Sequence, residues 1–174
     1  WGTPAYLQAA QQSADFRFDH LQAGGRLLSR YRDGEARHQG YAADYAYLIW
    51  GLLELYQAGS DHRILERALH LNEQLLDLFW DRDRAGLFFY GADAEPLLIR
   101  PQDSYDGALP SANAVATRNF FRLGHLVDSP PLLDRAREQL RHFSGSISKE
   151  PGAHSFWLLT ILEQEHVLPD VAVP

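Results

Sequence analysis

Tyr105-Asp106-Gly107-Ala108-Leu109-Pro110-Ser111-Ala112-Asn113-Ala114-Val115-Ala116 is the stretch on which the fold turns. An acidic residue, a glycine turn, a proline and a serine stand directly before an apolar run of helical character. Asp106, Ser111 and Asn113 thus crowd polar groups at a helix start, where backbone N–H groups have no intrahelical partner. The pattern recurs more loosely at Gly40-Tyr41-Ala42-Ala43-Asp44-Tyr45 and at Pro151-Gly152-Ala153-His154, each ahead of another apolar segment. Polar helix starts at intervals along a chain predict a repeat protein with a site at one end. They do not identify the chemistry.

Working outward, helical periodicity dominates. Tyr45 to Tyr56 is apolar on most sides and predicts a helix buried nearly all round. Asp61 to Trp80 carries Ile64, Leu65, Ala68, Leu71, Leu75, Leu78 and Phe79 on one stripe, which predicts a one-sided amphipathic helix capped by Gly59-Ser60-Asp61. The order then returns: a mostly apolar helix over Ala114–Val127, a turn at Asp128-Ser129-Pro130-Pro131, and an amphipathic helix over Leu132–Phe143. A shift of 68 positions lays Leu65-Glu66-Arg67-Ala68 on Leu133-Asp134-Arg135-Ala136, and Leu55 on Leu123. A first helix from about Pro4 to His20 and a last from about Ala153 to Glu165 complete six, three of each type.

Two glycine-led segments, Gly25–Tyr31 and Gly86–Tyr90, read as short strands or extended loops. Alternation of buried and one-sided helices is the pattern of two concentric layers. The fold class predicted is therefore all-α, half of an (α/α)₆ toroid of about three helical hairpins with short β excursions. It spans 1–166, and 167–174 forms a loose tail. Half a toroid would leave Trp50, Phe120 and Phe121 uncovered on one side, which predicts self-association or cover from further chain. The lack of any methionine fits a piece of a longer polypeptide.

Composition bounds the function. At 174 residues and 45% hydrophobic content the chain folds around one core and is not disordered. No apolar run approaches the ~20 residues of a membrane span, no signal peptide is apparent, and a cytoplasmic location is expected. The net charge is −7, with one lysine, Lys149, against fifteen arginines scattered among acids. That argues against a nucleic-acid surface, which needs a basic patch. Zero cysteines remove thiol catalysis and disulfides. The eight histidines lack metal-ligand spacing, and no phosphate loop or nucleophile elbow occurs. Neither metal nor cofactor is expected.

Four motifs together carry a family resemblance: Gly25-Arg26-Leu27 with Tyr31-Arg32; Asp44-Tyr45-Ala46 with Gly51-Leu52-Leu53-Glu54-Leu55-Tyr56; Leu78-Phe79-Trp80-Asp81 with Gly86-Leu87-Phe88-Phe89; and Tyr105-Asp106-Gly107-Ala108-Leu109-Pro110-Ser111-Ala112-Asn113. The chain resembles the carboxy-terminal toroid of the spermatogenesis-associated, thioredoxin-like family over most of its length. Ala112 and Ala114 stand where that family often has glycine and serine. The resemblance implies a six-hairpin toroid similar to N-acylglucosamine 2-epimerases and toroidal glycosidases. It also implies a parent chain with a thioredoxin-like domain and the other toroid half as partners.

In such toroids ligands sit at one end of the inner helices. Tyr41, Tyr45, Tyr105, Ser111 and Asn113 are then candidates to hold a sugar or polyol, and Asp44, Asp106 and His154 to do acid/base chemistry. Each has a plainer reading. Asp and Ser at helix starts cap helices, Asp-Gly makes turns, and a histidine there is often a satisfied structural group. The expected function is a carbohydrate-active or carbohydrate-binding toroid domain. The alternative is a non-catalytic helical-repeat scaffold that binds a protein partner.

Overall fold

The computed structural model describes residues 4–95 and 99–167. The predicted tail from 168 on lies outside them. Among the described residues there are six α-helices and a three-stranded antiparallel sheet. The chain divides into two compact units. One runs to Trp80 and takes in Phe88–Pro101; the other takes in Asp81–Leu87 and the chain from Gln102 on.

In the first unit, α1 (Pro4–His20) leads into β1 (Gln22–Ala23), β2 (Arg26–Arg32) and β3 (Glu35–Gln39), then α2 (Ala42–Gly59) and α3 (His62–Phe79). The sheet order is β1-β2-β3, with Leu28 opposite Gln39 and Arg32 opposite Glu35. β3 departs from the predicted single excursion. Asp33-Gly34 turns the chain with both residues at positive φ (53° and 81°), the conformation that Asp-Gly favours between hairpin strands. α2 and α3 pack as a hairpin. They bury Tyr45, Ile49, Leu52 and Leu53 against Ile64, Leu71, Leu75 and Phe79. Asp61 caps α3 by accepting from the Arg63 amide at 3.0 Å. The stripe predicted on α3 is the buried one. On α2 burial is confined to one face, with Gly51 and Glu54 exposed.

In the second unit, α4 (Ala112–Leu126) pairs with α5 (Pro130–Lys149), and α6 (Ser155–Val167) packs on α4. α4 is the most enclosed helix, with ten buried residues from Asn113 to Gly124. α5 continues six residues past the predicted end at Phe143, because buried Ile147 extends the stripe of Ala136, Gln139 and Phe143. The expectation that Phe120 and Phe121 lie open is corrected: both are buried. α6 packs on α4, and the bidentate pair from Arg118 to Glu163, 2.7 and 2.8 Å, ties the two helices. Trp50 is half-buried, and its indole N–H donates to Glu54 at 2.9 Å. The exposed apolar side chains instead include Tyr6 and Leu7 on α1 and Leu158, Leu159 and Leu162 on α6. No helix among the described residues is long and apolar enough to cross a membrane.

Candidate functional site

In the first unit, the start of α2 forms one wall of a small pocket. Asp44 sits three residues into the polar start and accepts from the Tyr41 amide at 2.8 Å, satisfying a helix-start donor. Tyr41 projects its ring toward Phe89 and Tyr90, at centroid distances of 5.0 and 5.9 Å. Tyr41 and Tyr90, with Arg26, His38, Gln39, Gly40, Gly91 and Ala94, line a cavity of about 220 Å³. Drug-sized sites begin at roughly 300 Å³, so this pocket suits a single small molecule or one residue of a longer ligand.

Arg26 is the pocket's fixed cation. Its Nε and Nη2 donate to the two oxygens of Asp93 at 2.9 and 3.2 Å, and Nη1 donates to the Tyr45 hydroxyl at 2.8 Å. The guanidinium stands 5.4 Å from the Phe79 ring centroid. Tyr45 is fully buried, and its hydroxyl also accepts from the Leu27 amide at 3.0 Å. Tyr45 therefore presents no ring face to a ligand and acts on the pocket through Arg26. Gly91 leaves room for this pair: a Cβ there would meet Asp93 Oδ1 at 2.5 Å and Arg26 Nη2 at 2.8 Å, so the two side-chain ends would have to shift. Arg100 anchors the same loop, donating to the Tyr90 carbonyl at 2.9 Å.

In the second unit stand Tyr105, Asp106, Ser111, Asn113 and His154. Asp106 is 8% exposed. Its Oδ1 accepts from the Ser111 amide and its Oδ2 from the Phe156 amide, both at 2.8 Å. One carboxylate thus joins the approach to α4 with the first turn of α6. Ser111 caps α4, its Oγ accepting from the Ala114 amide at 3.2 Å. Asn113 is buried and satisfied on every side. Its Oδ1 accepts from the Leu87 amide and from Gln139 Nε2, each at 2.6 Å. Its Nδ2 donates to the carbonyls of Leu87 and Asp103 at 3.1 and 2.8 Å. The single hydroxyl proton of Thr117 faces the Asn113 carbonyl at 2.8 Å and Gln139 Oε1 at 3.0 Å.

The two other candidates in this unit differ in exposure. Tyr105 is 60% exposed. His154 is buried, with Nδ1 2.9 Å from the Glu150 carbonyl and Nε2 3.3 Å from Ser104 Oγ. Each unit thus holds its own set: Tyr41, Asp44 and Tyr45 in one, and Tyr105, Asp106, Ser111, Asn113 and His154 in the other. No group of three or more His, Cys, Asp or Glu side chains able to hold a metal ion occurs among the described residues.

Reasoning from the sequence did not nominate Arg26, His38, Gln39, Tyr90, Asp93 or Ser104. The signal was present in part. Both glycine-led excursions feed the pocket, Arg26 from one and Tyr90 from the other, although each reads as a mere connector.

The fold and these clusters define a domain of helical hairpins whose helix starts gather polar and aromatic groups. The chain is similar to spermatogenesis-associated protein 20. It is 33% identical to the Homo sapiens protein over 183 aligned residues, which cover 99% of this chain and 23% of the relative. It is 33% identical to the Mus musculus protein over 135 residues, 77% of this chain and 17% of the relative. An uncharacterized protein of Caenorhabditis elegans is 26% identical over 154 residues. Homologues of that name thus cover the chain and support the family to which its motifs point. The chain spans less than a quarter of the length of these relatives. No family model matches it.

Proposed function

We propose that this chain is a carbohydrate-binding part of an α/α toroid, holding one sugar or polyol residue in the pocket at the start of α2. The observation that carries this reading is the composition of the pocket wall. Two tyrosines stand with Arg26, whose guanidinium is held in place, a histidine and a glutamine around about 220 Å³. A sugar presents an apolar ring face and a rim of hydroxyls. Aromatic faces meet the first, and groups of defined donor and acceptor geometry meet the second. The helical hairpins α2/α3 and α4/α5, alike in order and spacing, support the toroid.

The reading is one of binding. Asp44 and Asp106 each accept from helix-start amides, which supports a structural role for both carboxylates rather than an acid/base pair. Titration of the chain with a panel of monosaccharides and polyols, followed by NMR, tests the proposal. Millimolar binding is expected, with shifts at Tyr41, Tyr90 and Gln39. Tyr41→Ala and Tyr90→Ala should each weaken it by tenfold or more while far-UV circular dichroism stays unchanged. A panel without any binder, or binding indifferent to both substitutions, would sink the pocket as a sugar site.

A further inference from the structure

We propose that Ser104 and His154 form a nucleophile–base dyad for acyl transfer, acting on esters of small acyl groups. The polarity of the pair follows from one contact. His154 Nδ1 lies 2.9 Å from the Glu150 carbonyl oxygen, which can only accept. In the neutral imidazole the proton therefore resides on Nδ1, and Nε2 carries the lone pair. Ser104 Oγ, 3.3 Å from Nε2, is left to donate. A hydroxyl donating to an imidazole whose far nitrogen is held by an oxygen acceptor is the arrangement that activates a serine nucleophile. Such bonds are often long in the free protein and shorten with substrate bound.

Both members are positioned by neighbours independent of their own contact. Three hydrogen bonds join the segments that bear them: the Asp106 amide to the Ala153 carbonyl at 2.8 Å, the Phe156 amide to Asp106 Oδ2 at 2.8 Å, and Trp157 Nε1 to the Ser104 carbonyl at 3.0 Å. With the segments already joined three times, the Ser104–His154 bond adds little to their cohesion. Ser104 is half-buried, whereas His154, which would take its proton, is 5% exposed. Among the described residues no group accepts from the Ser104 amide. A nucleophile's own amide is one of the donors that stabilise the oxyanion in serine hydrolases.

The reaction closes on these atoms. Ser104 Oγ adds to the ester carbonyl carbon as its proton passes to His154 Nε2. The tetrahedral adduct collapses, the bond to the alcohol oxygen breaks, and that oxygen takes the proton from Nε2. Water then adds to the acyl-serine, again giving its proton to Nε2. Collapse returns that proton to Ser104 Oγ and frees the carboxylic acid.

The test treats the complete chain with an alkyl fluorophosphonate and with p-nitrophenyl acetate, and locates the adduct by peptide mass. Stoichiometric modification of Ser104 is expected. It should be abolished in Ser104→Ala and slowed on the order of a hundredfold in His154→Gln, the scale of a general base. Should His154→Gln fail to fold, Ser104→Cys decides, since the chain has no other cysteine. Its thiol should be alkylated by iodoacetamide at least tenfold faster than that of Ser144→Cys, which lies exposed on α5. Modification elsewhere but not at Ser104, equal rates in folded His154→Gln, or equal reactivity of the two cysteines would overturn the dyad. Sugar binding and its loss in the Tyr41 variant leave this result unaffected.

Discussion

Asp106 shows how one residue type serves either of two purposes until its partners are known. From the sequence it is an acid ahead of a glycine; in the structure each carboxylate oxygen accepts a backbone amide at 2.8 Å, one at Ser111 and one at Phe156. An asparagine there fills the same volume but has one acceptor, and its amide would confront an N–H donor. A charged acceptor and a neutral one also differ in strength. Asp106→Asn is therefore expected to destabilise the chain by about 1–3 kcal/mol, measured by urea unfolding. A change within error would show that the carboxylate does not hold the two helix starts together. Asn113 carries the same lesson further. Its position in the first turn of α4 was legible as a helix-start polar group. Its four side-chain hydrogen bonds were not, because their three partners, Leu87, Asp103 and Gln139, reach it from separate stretches of chain.

Elements were legible where periodicity is long and one-sided. The α3 stripe from Ile64 to Phe79 is the buried face, because a helix that exposes Arg63, Glu66 and Asp77 has no other way to lie. The β2–β3 hairpin was the weaker signal, seven and five residues of mostly polar sequence, with Asp33-Gly34 its strong local mark. The end of α5 was misread because Ser144, Gly145 and Ser146 lower helix propensity while Ile147, one turn beyond Phe143, gains burial; packing decided. Among the described α-helices α1 has the least burial, Ala14 alone, and an ion pair ties it to α3: Arg67 Nη1 to Asp15 Oδ1 at 2.7 Å. The Arg67 guanidinium, followed by Gln11, holds the Asp15 carboxyl below its ordinary range. A carboxylate depressed in the folded state contributes stability above its unfolded pKa and loses it as pH falls through the folded one. Asp15→Asn should therefore cost stability at neutral pH and cost nothing in acid well below about 4, the ordinary Asp value. Both side chains are about 40% exposed, which limits the neutral-pH loss to about 0.5 kcal/mol. Chemical denaturation of both proteins across that range measures it, and a loss that persists undiminished in acid would assign the effect to something other than the pair.

At the scale of the whole molecule, burial is uneven in a way that composition does not reveal. α4 encloses ten of its residues, among them Val115, Phe120 and Leu123, whereas α1 encloses one. Reading the chain as half a toroid placed Phe120 and Phe121 at an open flank, because a linear pattern gives apolar character without naming the neighbour. The neighbours of α4 are α5 and α6, the latter held to it by Arg118 and Glu163. Local opening free energies follow such differences: segments with few buried contacts open alone, and enclosed helices open only with the core. Native-state hydrogen exchange should then find α1 amides exchanging by local fraying, with little dependence on denaturant, while α4 amides report the largest opening free energy. Phe120→Ala sharpens the contrast. Removing a buried phenyl ring costs about 3–5 kcal/mol in a packed core, so α4 protection should fall by that amount, whereas exchange in α1, already governed by fraying, should not change. Equal protection of α1 and α4 in the unsubstituted chain would mean that α1 is secured by more than Ala14 and the Asp15–Arg67 pair.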